Sequence, residues 1–240
     1  MIGGMRLPDT THTDRPWRIH ELTRDFGLED VWALPTPGGP DDFPRLVQCA
    51  AALDPARSAS PLVRSLFALR WKLGALLGWD GEGTGVGSRV PTVRDRLPAD
   101  LRAAPAGPDF TALPFAPLYL LEDEFAAEIA NRTMHGVLHL GWVPDGTGGY
   151  RGQMAVLVKR NGLVGAAYMA AIGPFRHVLV YPPAIRELGQ RFGCQNASSA
   201  PVAERTTLRQ PAGPSRGGKR TRAPRSRARS VAESTRSTST

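Results

Sequence analysis

The side chains best suited to chemistry lie between residues 124 and 142, in the run EFAAEIANRTMHGVLHLGW. Two of the chain's five histidines, His135 and His139, stand there four residues apart. On a helix they would sit one turn from each other, about 6 Å along the axis, and could share a metal ion. On a strand the same spacing is about 13 Å, too far for one ion to take both rings. Gly136, Gly141, Val137 and Thr133 disfavour a helix. The period-two pattern favours a strand, with Met134, Gly136, Leu138, Leu140 and Trp142 on one face and Thr133, His135, Val137, His139 and Gly141 on the other. On that reading no metal site is expected, and the histidines belong to a mixed face exposed to solvent or to an interface.

Glu128 and Arg132 are the other polar candidates. If the strand runs unbroken they share the face of Met134, four residues apart and opposite in sign. A charge pair in an apolar wall is costly unless it binds something or is well hydrogen-bonded. The pair is therefore expected at the mouth of a pocket, although a bulge near Asn131 would put both groups in solvent.

These residues need a sheet to hold them. Asp145-Gly146 and Gly148-Gly149 read as turn material, and Tyr150 to Lys159 alternates again, which predicts an antiparallel hairpin. FAPLYLL, from Phe115 to Leu121, predicts a strand before it, and Phe125 to Asn131 carries the sheet onward. Upstream, Val31 to Leu34 is a short apolar run ended by Pro35. Phe43 to Leu53 suits a short helix capped by Asp41 or Asp42, with Pro44 in its first turn. Ser60-Pro61 opens a further helix whose stripe of Leu62, Leu66, Leu69, Leu73, Leu76 and Leu77 reads as a core face. The Gly-rich stretch from Gly78 to Gly87 follows a helix and has no GK[ST], so it reads as a loop, not a phosphate cradle. Residues 163 to 192 compose a long, mostly apolar helix, kinked near Pro174 and Pro182-Pro183.

The charge is unevenly placed. The chain has 240 residues and a formal charge of +8. From Gln195 onward ten Lys and Arg face only Glu204 and Glu233, so the tail carries the whole excess and the body is neutral. The division expected is a loose N-terminus over 1–15, one domain over 16–193 and a disordered basic tail over 194–240. Such a tail could contact nucleic acid or an acidic surface without base reading, because it has no aromatic residue. Cys49 and Cys194 are too few for a disulfide framework, in keeping with a cytoplasmic protein. No signal peptide is apparent at the N-terminus. The longest uncharged run, 161–175, falls short of the roughly 20 residues of a membrane span.

The segments EDEFAAEIANRTMHGVLHLGW, GYRGQMAVLVKRNGLVGAAYMAAIGPFRH and VRSLFALRWKLGALLGWD resemble a family of unknown function found in actinobacteria. A related domain follows some short-chain-dehydrogenase-like nucleotide-binding domains, although no GxGxxG after a strand occurs here. The resemblance covers roughly residues 10 to 192. It implies an α+β, helix-grip-like fold: a curved antiparallel sheet wrapped on a long C-terminal helix, with additional N-terminal helices. Many helix-grip proteins hold apolar small molecules between helix and sheet, and the family carries over no catalytic residue. The function expected is therefore binding of a small apolar molecule, with Glu128, Arg132, Met134, Leu138, Trp142, Tyr150, Met154, Tyr168 and Arg176 around it. Gly136, Gly152 and Ala167 would leave it room. The alternative is a cyclase or isomerase using Glu128 or a histidine as base, with Arg132 or Arg176 as donor. No nucleophile elbow or HExxH motif advertises an enzyme, and no cofactor is implied.

Overall fold

A computed structural model describes residues 4–58, 90–131, 133–162 and 181–199, with single positions between 61 and 86. Apart from those single positions, the helix expected after Ser60 and the Gly-rich stretch 78–87 lie outside the described residues, as do Arg132, the segment 163–180 with Tyr168 and Arg176, and the basic tail from 200 on.

The centre of the fold is the expected hairpin. Strand β5 (Met134–Pro144) pairs antiparallel with β6 (Tyr150–Arg160) over its whole length. The link between them is a turn built on Asp145, whose Oδ1 accepts the amides of Thr147 at 2.7 Å and Gly149 at 3.1 Å. Gly146 and Gly148 sit there at φ +82° and +98°, a left-handed backbone that side chains disfavour. On one side β6 pairs with β2 (Gly27–Ala33), which pairs with the two-residue β1 (Met5–Arg6). On the other, β5 pairs with β4 (Glu124–Ala130) and β4 with β3 (Ala116–Leu120). The result is a six-stranded antiparallel sheet in the order β1-β2-β6-β5-β4-β3.

Both faces of this sheet are covered, which is why strand alternation does not separate core from solvent. One face, carrying Trp32, Phe125, Leu140 and Trp142, meets helix α3 (Phe43–Ala51) through Phe43, Leu46 and Val47. The C-terminal helix, Tyr181–Ser199, meets the same face through Ile185, Leu188 and Phe192. Gly152 admits α3 closely, because a Cβ there would stand 2.6 Å from Leu46 Cδ2 and 2.8 Å from Leu34 Cδ1. The opposite face, carrying Val31, Tyr119, Ala126, Val137, Ala155 and Leu157, is roofed by short elements. These are the single helical turns α1 (Thr10–Thr13) and α2 (Ile19–Leu22), the 3-10 turn Val93–Arg96 and the helix Ala99–Ala103, which with their flanks insert Trp17, Ile19, Leu22, Val93, Leu97 and Leu101.

The expectation of a helix-grip fold, a curved sheet wrapped on the C-terminal helix, is corrected by this arrangement. Among the described residues the sheet is open, with β1 and β3 as unjoined edges. Closure would require the two edges to pair, and β1 offers only Met5 and Arg6 to such a ladder. The C-terminal helix is one of several pieces on one face rather than an axis gripped by the sheet. The strand pairing itself, the hairpin and the helix at Phe43 stand as expected. Residues 5–13, expected to be loose, contribute an edge strand and a helical turn that buries His12.

Candidate functional site

Of the residues expected to surround a ligand, Leu138, Trp142, Tyr150 and Met154 come together on the helix-side face. Leu140 pairs with Met154, Leu138 with Val156 and Pro144 with Tyr150, so all project to one side of the β5–β6 ladder. Trp142 is buried, and its indole N–H donates to the Gly39 carbonyl at 3.0 Å. It lies among Phe43, Phe192 and Tyr150, with ring centroids 6.2, 6.1 and 6.4 Å away. Tyr150 is nearly parallel to it, at 8°. Leu138, Tyr150 and Met154 are only half-buried, as is Met134 at the strand's start. The glycines do not open a space here: Gly152 is filled by Leu46, Leu34 and Thr36, and a Cβ on Gly136 would meet the Met134 sulfur at 3.2 Å. Arg132, Tyr168, Arg176 and Ala167 lie outside the described residues.

Glu128 is not with them. Residues 124–142 are two strands folded at Asn131, whose side-chain oxygen accepts the amides of Thr133 at 2.9 Å and Met134 at 3.1 Å. Glu128 then pairs with Val137. The fold-back reverses the parity, so even-numbered residues of β4 share a face with odd-numbered residues of β5. Glu128 therefore faces away from Met134 and toward the two histidines.

That polar face is buried, and it is the most organised part of the molecule. His135 Nε2 stands 2.8 Å from Glu128 Oε2, with both side chains almost wholly out of solvent. The Glu128 carboxylate also accepts the Val93 amide at 2.9 Å and the Thr92 hydroxyl. Thr92 is the residue before the turn Val93–Arg96, so Glu128 holds the start of that turn. Glu124 does the same for Ile19–Leu22: it accepts the amides of Arg18 and Ile19, each at 2.9 Å, and the Tyr119 hydroxyl at 2.6 Å. His139 Nε2 lies 3.2 Å from Glu124 Oε1, at ion-pair distance but without hydrogen-bond alignment. Burial pushes both carboxyls up, but the groups around them outweigh it: His139, Tyr119 and the Arg18 amide for Glu124, and His135, Thr92 and the Val93 amide for Glu128. Both therefore end below the usual glutamate range. Burial and the neighbouring Glu124 charge raise the Tyr119 phenol, which stays protonated.

The N-terminal histidines, not singled out by the sequence, complete the face. His12 Nε2 is 3.1 Å from His139 Nδ1, and His20 Nε2 is 3.2 Å from His12 Nδ1. The Trp17 indole packs edge-on to His139, with centroids 5.1 Å apart, over Gly141. Burial first, then His139 and His20, push the His12 imidazole down to about 3. No local pattern joins His12 to His139 across 127 positions. The legible signal was Asn131, a turn residue that implies a fold-back and hence the reversed parity of the glutamates.

Fold and site together define a layered α+β domain on an open antiparallel sheet, with an aromatic core on one face and a buried glutamate–histidine array on the other. Residues 22–183 match the family described as Protein of unknown function (DUF2867), and the chain belongs to it. No curated protein and no solved structure matches the chain. Among the described residues no helix is long and apolar enough to cross a membrane, and no cluster has the makings of a metal site.

Proposed function

We propose that the domain binds a small, mostly apolar molecule against the helix-side face of its sheet. The observation that supports this is a row of half-buried side chains, Leu138, Tyr150 and Met154, beside the buried aromatic group of Trp142, Phe43 and Phe192. Half-buried apolar and aromatic side chains on one face offer contact area to a ligand with few polar groups to fix its orientation. Met134 extends the row, and Arg132, Tyr168 and Arg176 are further residues to probe by substitution. Glu128 does not belong to this site, because it faces the other side of the sheet. A cyclase or isomerase drawing its base from Glu128 in the same pocket therefore has no support.

Native mass spectrometry of the full chain purified from its own host tests the reading. A retained small molecule is expected, and Met154→Trp or Leu138→Trp should abolish its retention while the fold survives. A host-purified protein carrying no extra mass, and showing no saturable uptake of an apolar fluorescent probe, would overturn it. The tail supports a separate proposal, nonspecific contact with nucleic acid through its excess of ten basic residues over two acidic ones. Nucleic-acid affinity unchanged by deleting residues 195–240 would remove it.

A further inference from the structure

We propose that His20, His12 and His139 form a proton relay from the surface to the buried Glu124 carboxylate, and that this relay latches the N-terminal segment, residues 10–22, onto the sheet. The geometry is a single file. His20 Nε2 meets His12 Nδ1 at 3.2 Å, His12 Nε2 meets His139 Nδ1 at 3.1 Å, and His139 Nε2 meets Glu124 Oε1 at 3.2 Å. Exposure falls along it: His20 is half-buried, His12 is 1% exposed and His139 is fully buried. Each ring uses both nitrogens in the file except His20, whose Nδ1 is the entry point.

The tautomers follow from the order of contacts. With every ring neutral, each Nε2 carries the hydrogen and each Nδ1 of His12 and His139 accepts, while His139 Nε2 stands within ion-pair distance of Glu124 Oε1 without hydrogen-bond alignment. A proton entering at His20 Nδ1 displaces the Nε2 proton of His20 onto His12 Nδ1. The Nε2 proton of His12 then passes to His139 Nδ1. His20 and His12 are left neutral as Nδ1–H tautomers, and the positive charge rests on His139 beside the Glu124 carboxylate. One proton has been taken up, both N···N links still have one hydrogen, and charge faces counter-charge.

A second proton has no such place. It puts two hydrogens face to face in one N···N link and adds a second charge to a file whose neighbouring rings are 4.9 Å apart, centroid to centroid. The remaining charged and titratable neighbours do not relieve this. Asp123, beside β4, and Glu21 lie near the ends of the file; Arg15 sits over Trp17 and Arg18 pairs with Asp100; Tyr119 is protonated; and Gln153 on β6 engages the Thr11 carbonyl. The second proton therefore breaks one of the two N···N links of the file, and the segment carrying His12, Trp17 and His20 loosens from the sheet. The first proton is a stored charge and the second is the release.

The test uses the full chain. Nitrogen-15 NMR of the histidine rings at neutral pH should show His12, His20 and His139 all as Nε2–H tautomers. Hydrogen exchange of the amides of residues 10–22 should rise by at least about tenfold between about pH 7 and about pH 4, while β4, β5 and β6 stay protected. His12→Gln keeps one donor and one acceptor but cannot take a proton, so it should stay latched to lower pH than wild type. An Nδ1–H tautomer at His12 or His139 at neutral pH, or exchange in 10–22 that is flat with pH while the sheet is intact, overturns the relay. So does a His12→Gln protein that releases the segment at the wild-type pH. If His12→Gln does not fold, the tautomer and exchange readings on the wild-type chain decide alone.

Discussion

Glu128 and His135 meet across the β4–β5 hairpin one diagonal step apart, Oε2 to Nε2 at 2.8 Å, and the same step relates Glu124 to His139. Each glutamate also accepts the first amides of a short helical piece that crosses the sheet. The pairs thus act as two rivets: a carboxylate rooted in the sheet, held by an imidazole, ties down backbone that has no helix of useful length to stabilise it.

Glu128 is the shared acceptor for the Thr92 hydroxyl, the Val93 amide and His135, so its loss leaves buried donors without a partner. Glu128→Ala should cost about 3–5 kcal/mol of stability, and Glu128→Gln, which keeps an acceptor, about 1–3 kcal/mol. Urea denaturation of the two variants checks the order. Equal losses would mean that the carboxylate charge contributes nothing beyond its hydrogen bonds.

Acid should weaken the fold in two overlapping ranges. His12 in the folded protein is pushed down to about 3 from its ordinary 6.5, so the folded state binds fewer protons between those values. Its contribution is complete above about pH 6.5 and is lost as pH falls toward 3, by at most about tenfold in the folding equilibrium per pH unit. Glu124 and Glu128 are held below the ordinary glutamate value of 4.5, so their contribution is present above that value and is lost as pH falls through their lower folded values. Denaturation midpoints from about pH 8 to about pH 4 should be level above about pH 7 and fall below it. His12→Gln should flatten the upper part of that fall.

Gly152 marks where α3 touches β6. Gly152→Ala puts a methyl group 2.6 Å from Leu46 Cδ2 and 3.0 Å from Thr36 Oγ1, whose hydroxyl accepts the Gly152 amide. Overpacking of this kind should cost about 1–3 kcal/mol. Gly146→Ala, with nothing within 4 Å of the added carbon, should cost less, about 1 kcal/mol, from its positive φ alone. Thermal melts of the two variants compare packing with backbone strain directly.

The two thiols should react differently. Cys49 is buried in α3, where burial raises its thiol above the ordinary range, and Cys194 is exposed. Native protein should take up one maleimide promptly, at Cys194 by peptide mapping, and a second only on unfolding. Rapid labelling at Cys49 would show that α3 opens readily from the sheet.

The sequence by itself determined what depends on neighbours along the chain. Alternation between Met134 and Trp142 and between Tyr150 and Lys159 set two strands, and the glycines at 146 and 148 set the turn between them. Pro44 marked the first turn of α3, although the Asp42 side chain accepts the Gly39 amide and does not cap the helix, and the period of side chains assigned each residue of β5 to one of two faces. What it could not determine was what lies over each face. A polar face reads as solvent unless something arrives to cover it, and the covers here are residues 12–22 and 92–101, brought from up to 127 positions away. Only the tertiary structure turned His135 and His139 from surface groups into buried ones. The physical reason is that a buried carboxylate is tolerable only when donors converge on it, and those donors are backbone amides and rings whose placement no local pattern encodes. The open sheet was settled in the same way, by a two-residue edge strand whose partners, Trp32 and Ala33, are 26 and 28 residues further on.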